Sequence, residues 1–68
     1  MKPPEGSVIA YRAGRVTIWE TLGRQQPYAV WYRTPSRDDI IDYFTSTLKE
    51  AVTWVEYHHP VEAGVMKP

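Results

Sequence analysis

No cysteine occurs in this chain of 68 residues, so neither disulfides nor a thiolate zinc site can staple it. That absence constrains the fold more than any motif does. A domain of this size buries only ~60% of the surface its unfolded chain exposes. Its stability therefore has to come from dense packing or from self-association. The material for packing is aromatic: Trp19, Trp31, Trp54, Phe44 and five tyrosines. With 43% hydrophobic residues, the composition is that of a single globular domain and not of a disordered chain.

The opening MKPPEGS lacks the apolar run of a signal peptide, and no stretch approaches the ~18 apolar residues of a membrane span. These features lead us to expect a cytoplasmic protein with no membrane partner. Charge is zero in sum but divided along the chain. Residues 1–37 set Lys2, Arg12, Arg15, Arg24, Arg33 and Arg37 against Glu5 and Glu20, a surplus of four positive charges. Residues 38–68 set Asp38, Asp39, Asp42, Glu50, Glu56 and Glu62 against Lys49 and Lys67, a surplus of four negative ones. Either the halves attract within one fold, or each presents a face to a different neighbour.

SVIAYRAGRVTIWETL reads as two strands. A tight turn at Ala13-Gly14 would pair Tyr11 with Val16, Ile9 with Ile18 and Arg12 with Arg15. Ile9, Tyr11, Val16 and Ile18 would then share an aliphatic face, with Arg12, Arg15, Thr17 and Trp19 on a mixed one. A continuous strand bent by a bulge at Gly14 is the alternative. Residues 22–27 form a polar connection. PYAVWYRTP adds a third strand between prolines, with Val30 on the aliphatic face and Trp31 and Arg33 on the mixed face.

Residues 36–60, SRDDIIDYFTSTLKEAVTWVEYHHP, admit two readings. As one helix, Ser36 is the N-cap, and Asp38 and Asp39 occupy the first turn, where the helix dipole favours acids. Ile41, Phe44, Leu48, Ala51 or Val52, Val55 and His59 then recur at steps of three and four, and Pro60 ends the run. In the rival reading, Asp39 to Thr45 is a strand and a helix starts at Thr47, where Thr47-Leu-Lys-Glu50 is itself a capping box. Strand alternation fails over residues 39–45, so the continuous helix is preferred.

The rival reading carries a resemblance. An aromatic strand followed by FTSTLKEAVTW resembles the last strand and helix of phage integrase arm-binding domains. TLKEA is also similar to the helix start of HicB-type antitoxins. The likeness covers about a third of the chain and implies nucleic-acid binding. This chain departs from both patterns, being neutral where integrase arms are basic and having no glycine in IIDYFTS. We take neither family as its own.

The expected fold is therefore α+β: a three-stranded antiparallel meander with one C-terminal helix packed on one face (βββα), spanning residues 7–60 between tails 1–6 and 61–68. Ile9, Tyr11, Val16, Ile18, Val30, Ile41, Phe44, Leu48, Val52 and Val55 form its expected core. His58-His59 reads as a helix-end cap, because adjacent helical residues diverge by about 100° and cannot easily grip one ion. Asp38, Asp39 and Asp42 read as dipole compensation. No nucleophile elbow, phosphate-cradling glycine loop or HExxH is present.

We therefore expect no enzyme, cofactor, metal or small-molecule substrate. What stands out is the mixed sheet face, with Arg12, Arg15, Trp19, Trp31 and Arg33 and with Arg24 in the nearby loop. Trp, Tyr and Arg are the types enriched at interface hot spots. The expected function is a regulator, inhibitor or small subunit that binds a protein partner, or a second copy of itself, through that face. Nucleic acid is the alternative partner, with arginines on phosphates and tryptophans on bases.

Overall fold

The computed structural model describes residues 2–67. Four strands, β1 (Val8–Ala13), β2 (Val16–Glu20), β3 (Tyr28–Arg33) and β4 (Asp39–Thr45), precede one helix, α1 (Leu48–His58). The strands form a single antiparallel sheet in the order β1-β2-β3-β4. The α+β class and the C-terminal helix agree with the sequence reading. The strand count does not: residues 39–45 extend along β3 as a fourth strand, so the three-stranded meander is corrected to four.

The helix begins where the capping signal stands. Thr47 is extended, and its side chain accepts a hydrogen bond from the Glu50 backbone N–H at 3.1 Å. The Glu50 carboxylate turns the other way and accepts from the Thr45 hydroxyl at 2.6 Å. This satisfies Thr45, which is 2% exposed. Three β-branched or hydroxyl residues, Thr45-Ser46-Thr47, thus end a strand and start a helix instead of lying inside one. At the other end His59 caps the helix, its N–H donating to Val55 O at 2.7 Å.

Two bulges decide which side chains face the helix. On β1, Ile9 pairs with Trp19 and Tyr11 with Ile18, so Ala10 is the extra residue. On β4, Tyr43 pairs with Val30 and Ile41 with Trp31, so Asp42 is extra. At each bulge two consecutive residues turn toward the helix side. Ala10 and Tyr11 both pack there, and Tyr43 does so beside Asp42, which bonds His59. The β1–β2 turn is Gly14-Arg15, with Ala13 opposite Val16. Gly14 has φ +55° and Arg15 a negative φ, the sign pattern of a type II′ hairpin turn. The expected Arg12–Arg15 pair is therefore replaced by Arg12 opposite Thr17.

Val16, Ile18, Val30, Ala51 and Val55 are fully buried between sheet and helix, flanked by Tyr11, Tyr28, Tyr32, Tyr43, Leu48, Val52 and Trp54. α1 lies over β3 and β4. Residues after it return to the sheet: Ala63 packs against the core, and the Glu62 carboxylate accepts from the Arg15 backbone N–H at 3.0 Å. Ile9, Ile41 and Phe44, expected in the core, are instead on the opposite face and 37–47% exposed. The bulges put them there. His59 stacks on Tyr32 with ring centres 4.7 Å apart and its Nε2 lies 3.0 Å from an Asp42 oxygen, while His58 stacks on Trp54. Among the described residues no helix is long and apolar enough to cross a membrane.

The cap distinguishes this fold from the continuous helix. Thr47→Ala should lower stability by about 1 kcal/mol in urea unfolding. An unchanged midpoint would mean that the helix does not start there.

Candidate functional site

The sheet face away from α1 carries Ile9, Arg12, Thr17, Trp19, Ala29, Trp31, Arg33, Asp39, Ile41 and Phe44, as the strand registers require. Among the described residues no strand or helix covers it, and Pro3 of the N-terminal segment lines part of it. A concavity of about 920 Å³ opens on this face, near the end where the two hairpin turns lie together. Arg12, Arg15, Trp19, Trp31 and Arg33 all line it, so five of the six residues singled out from the sequence come together. Arg24 does not. It sits on the β2–β3 loop at the other end of the strands. Arg37 and Asp39 also line the concavity. The sequence reading missed both as site residues because it placed them in the first turn of a helix.

The tryptophans meet edge to face, with centroids 6.5 Å apart and planes at 63°, a favourable geometry for aromatic quadrupoles. Trp31 is only 5% exposed, so it is a floor and not a projecting anchor. Among the described residues its Nε1 is the one buried side-chain polar atom with no hydrogen-bond partner.

The four arginines are not equivalent. Arg33 donates through Nε to Asp39 Oδ1 at 3.0 Å and through Nη2 to Oδ2 at 3.2 Å, a bidentate pair directly across β3 and β4. Arg15 Nη1 donates to the Thr34 and Arg33 carbonyls at 3.1 and 3.4 Å and so ties the two hairpin ends together. Arg12 and Arg37 have no side-chain hydrogen bond or ion pair among the described residues. Arg37 also holds a positive φ of 69°. It closes a turn in which the Thr34 carbonyl accepts from the Arg37 N–H at 2.9 Å, with Pro35 at the second position. A residue with a Cβ in this left-handed region is strained by roughly 1–2 kcal/mol.

Hydrogen bonds from Arg33 hold the Asp39 carboxyl below its ordinary range, and Asp39 in turn raises the Arg33 guanidinium. Tyr28 donates to Glu20 at 3.0 Å, and that bond to a carboxylate pushes the phenol up. Asp38, Asp39 and Asp42, expected to compensate a helix dipole, lie outside any helix: Asp39 pairs with Arg33, Asp42 with His59, and Asp38 lies in the hairpin connection. Among the described residues no three His, Asp or Glu side chains gather to hold a metal ion. A smaller depression of about 430 Å³ on the helix side is lined by Tyr43, Trp54, Tyr57 and His58, whose rings already pack on one another.

Compared with protein-family models, curated proteins and solved structures, the chain matches none of them. The site therefore has to be read from its own chemistry.

The Asp39 shift fixes a pH dependence. A carboxylate with a depressed folded pKa adds stability above its unfolded value, about 4, and loses it as pH falls through the folded value. Asp39→Asn should therefore be destabilised relative to the parent at pH 7, and the gap should shrink in urea unfolding at pH 3. An equal gap at both values would show that the ion pair contributes nothing through charge.

Proposed function

We propose that this chain is a non-enzymatic interaction module that binds an acidic segment of a protein partner on its open sheet face. Such a module acts as a regulator, an inhibitor or a small subunit of a larger assembly. The observation that carries this reading is the composition of the uncovered face. Ile9, Ile41 and Phe44 stay 37–47% exposed beside the tryptophan pair, and four arginines against one aspartate line the concavity next to them. An apolar surface with a basic rim is what a partner segment carrying apolar and acidic residues would cover. The His59–Asp42 pair, stacked on Tyr32 between helix and sheet, reads as packing and not as an acid–base device.

Nucleic acid is the second reading, favoured by the same arginines. It is weaker because Arg33 and Arg15 are already committed within the fold. The two remaining guanidiniums would neutralise about two phosphates, which gives only a shallow salt dependence and little affinity at physiological ionic strength. The chain also has no net positive charge to add to them.

A displayed random-peptide library, panned on the folded chain, tests the proposal. Selected peptides should perturb backbone amides of Ile9, Trp19, Ile41 and Phe44. Trp19→Ala should then weaken them by about 2 kcal/mol, with the chain still folded, since Trp19 is half-buried and Trp31 is left in place. Peptides that map to Trp54 and Tyr57 would overturn it. So would a self-association through this face seen by sedimentation, or a DNA duplex that binds there more tightly than any peptide.

A further inference from the structure

Resting on that docking reading, we propose that the concavity between the hairpin ends is a seat for a carboxylate: an aspartate or glutamate side chain of the bound segment. Arg12, Arg37 and the Trp31 indole N–H would be its donors.

Three observations converge on this place. The first is the indole. Trp31 is 5% exposed and lines the concavity, and its Nε1 has no acceptor. Buried indole N–H groups normally find one, and an unpaired donor withdrawn from water is unfavourable. That nitrogen is buried in the free chain, so the seat requires the lining to shift before an acceptor reaches it. The second is the pair of uncommitted guanidiniums, Arg12 and Arg37, on the same lining. The third is the backbone of Arg37, held at φ +69° where glycine would sit without strain. Strain of this kind marks a position kept for its side chain.

Four arginines against one aspartate line the concavity, so it attracts an anion, and the choice of a carboxylate over a phosphate rests on the apolar surface beside it. Guanidinium forks suit a carboxylate's two oxygens. The chain's own Glu62 already places a carboxylate on the Arg15 backbone N–H at this end of the sheet. Arg12, Arg37 and Trp31 are left for an incoming one. The flanking Ile9, Ile41 and Phe44 favour a peptide over a free small acid, because a peptide also covers apolar surface.

The test is a titration of the nitrogen-15-labelled chain at low salt with hexaglutamate, and in parallel with hexaglutamine, inorganic phosphate and a short DNA duplex. The Trp31 indole N–H should move with hexaglutamate and stay still with hexaglutamine. Arg37→Gly relieves the positive φ, so its Tm should hold or rise while hexaglutamate affinity falls at least tenfold. An unmoved indole, or an unchanged affinity in Arg37→Gly, would overturn the seat. An equal response to phosphate or duplex would overturn its assignment to a carboxylate. If hexaglutamate fails while acidic library peptides still bind the face without moving the Trp31 indole, the seat alone falls and docking stands. If neither binds, both fall.

Discussion

One eleven-residue helix has to close a four-stranded sheet, and that mismatch shapes everything else. A helix of this length spans roughly 16 Å, and it lies over β3 and β4. The chain extends that cover with the segment carrying Glu62 and Ala63, which lies against the first hairpin. Bulges at Ala10 and Asp42 then bring two side chains in place of one toward the helix from each outer strand. The same insertions turn Ile9, Ile41 and Phe44 outward. The core is completed at the expense of an apolar surface on the far side.

The bulges also explain which parts of the fold the sequence conceals. β2 and β3 pair without interruption, so plain alternation places Val16, Ile18 and Val30 inside and Trp19, Trp31 and Arg33 outside. In β4 the extra residue changes same-face spacing from two to three. Ile41 and Phe44 thus sit three apart on one face, the spacing a helix would give, and the run continues in step into Leu48, Ala51 and Val55. A bulged strand abutting a true helix imitates one long helix. What separates them is the local chemistry of Thr45-Ser46-Thr47, a weaker signal than periodicity until Thr47 is seen accepting from Glu50.

The site was legible to the degree that it lies on unbulged strands. Arg12 reaches the expected face for a different reason, since its partner is Thr17 and not Arg15. Arg37 and Asp39 were hidden by the helical reading, although the division of charge along the chain pointed to them. Arg33 with Asp39, and the Arg15 amide with Glu62, each join the basic half to the acidic half. One charge pair, Arg33 with Asp39, links the halves within the fold, and Arg12 and Arg37 are left without an ion pair among the described residues.

What distinguishes the two faces is how completely their polar groups are satisfied. On the helix side Thr45 has Glu50, Asp42 has His59 and Thr47 has the Glu50 amide. On the open side, at one end, stand an indole N–H and two guanidiniums without partners among the described residues, one of the guanidiniums on the left-handed Arg37. The buried donor costs about 1–3 kcal/mol and the strained residue about 1–2 kcal/mol, against the small net stability of any short domain. In a chain without disulfides such costs bear directly on whether it folds. Their clustering on the lining of one concavity, beside the apolar surface that the bulges turn outward, is what folding alone does not require and what binding an acidic, partly apolar segment would offset.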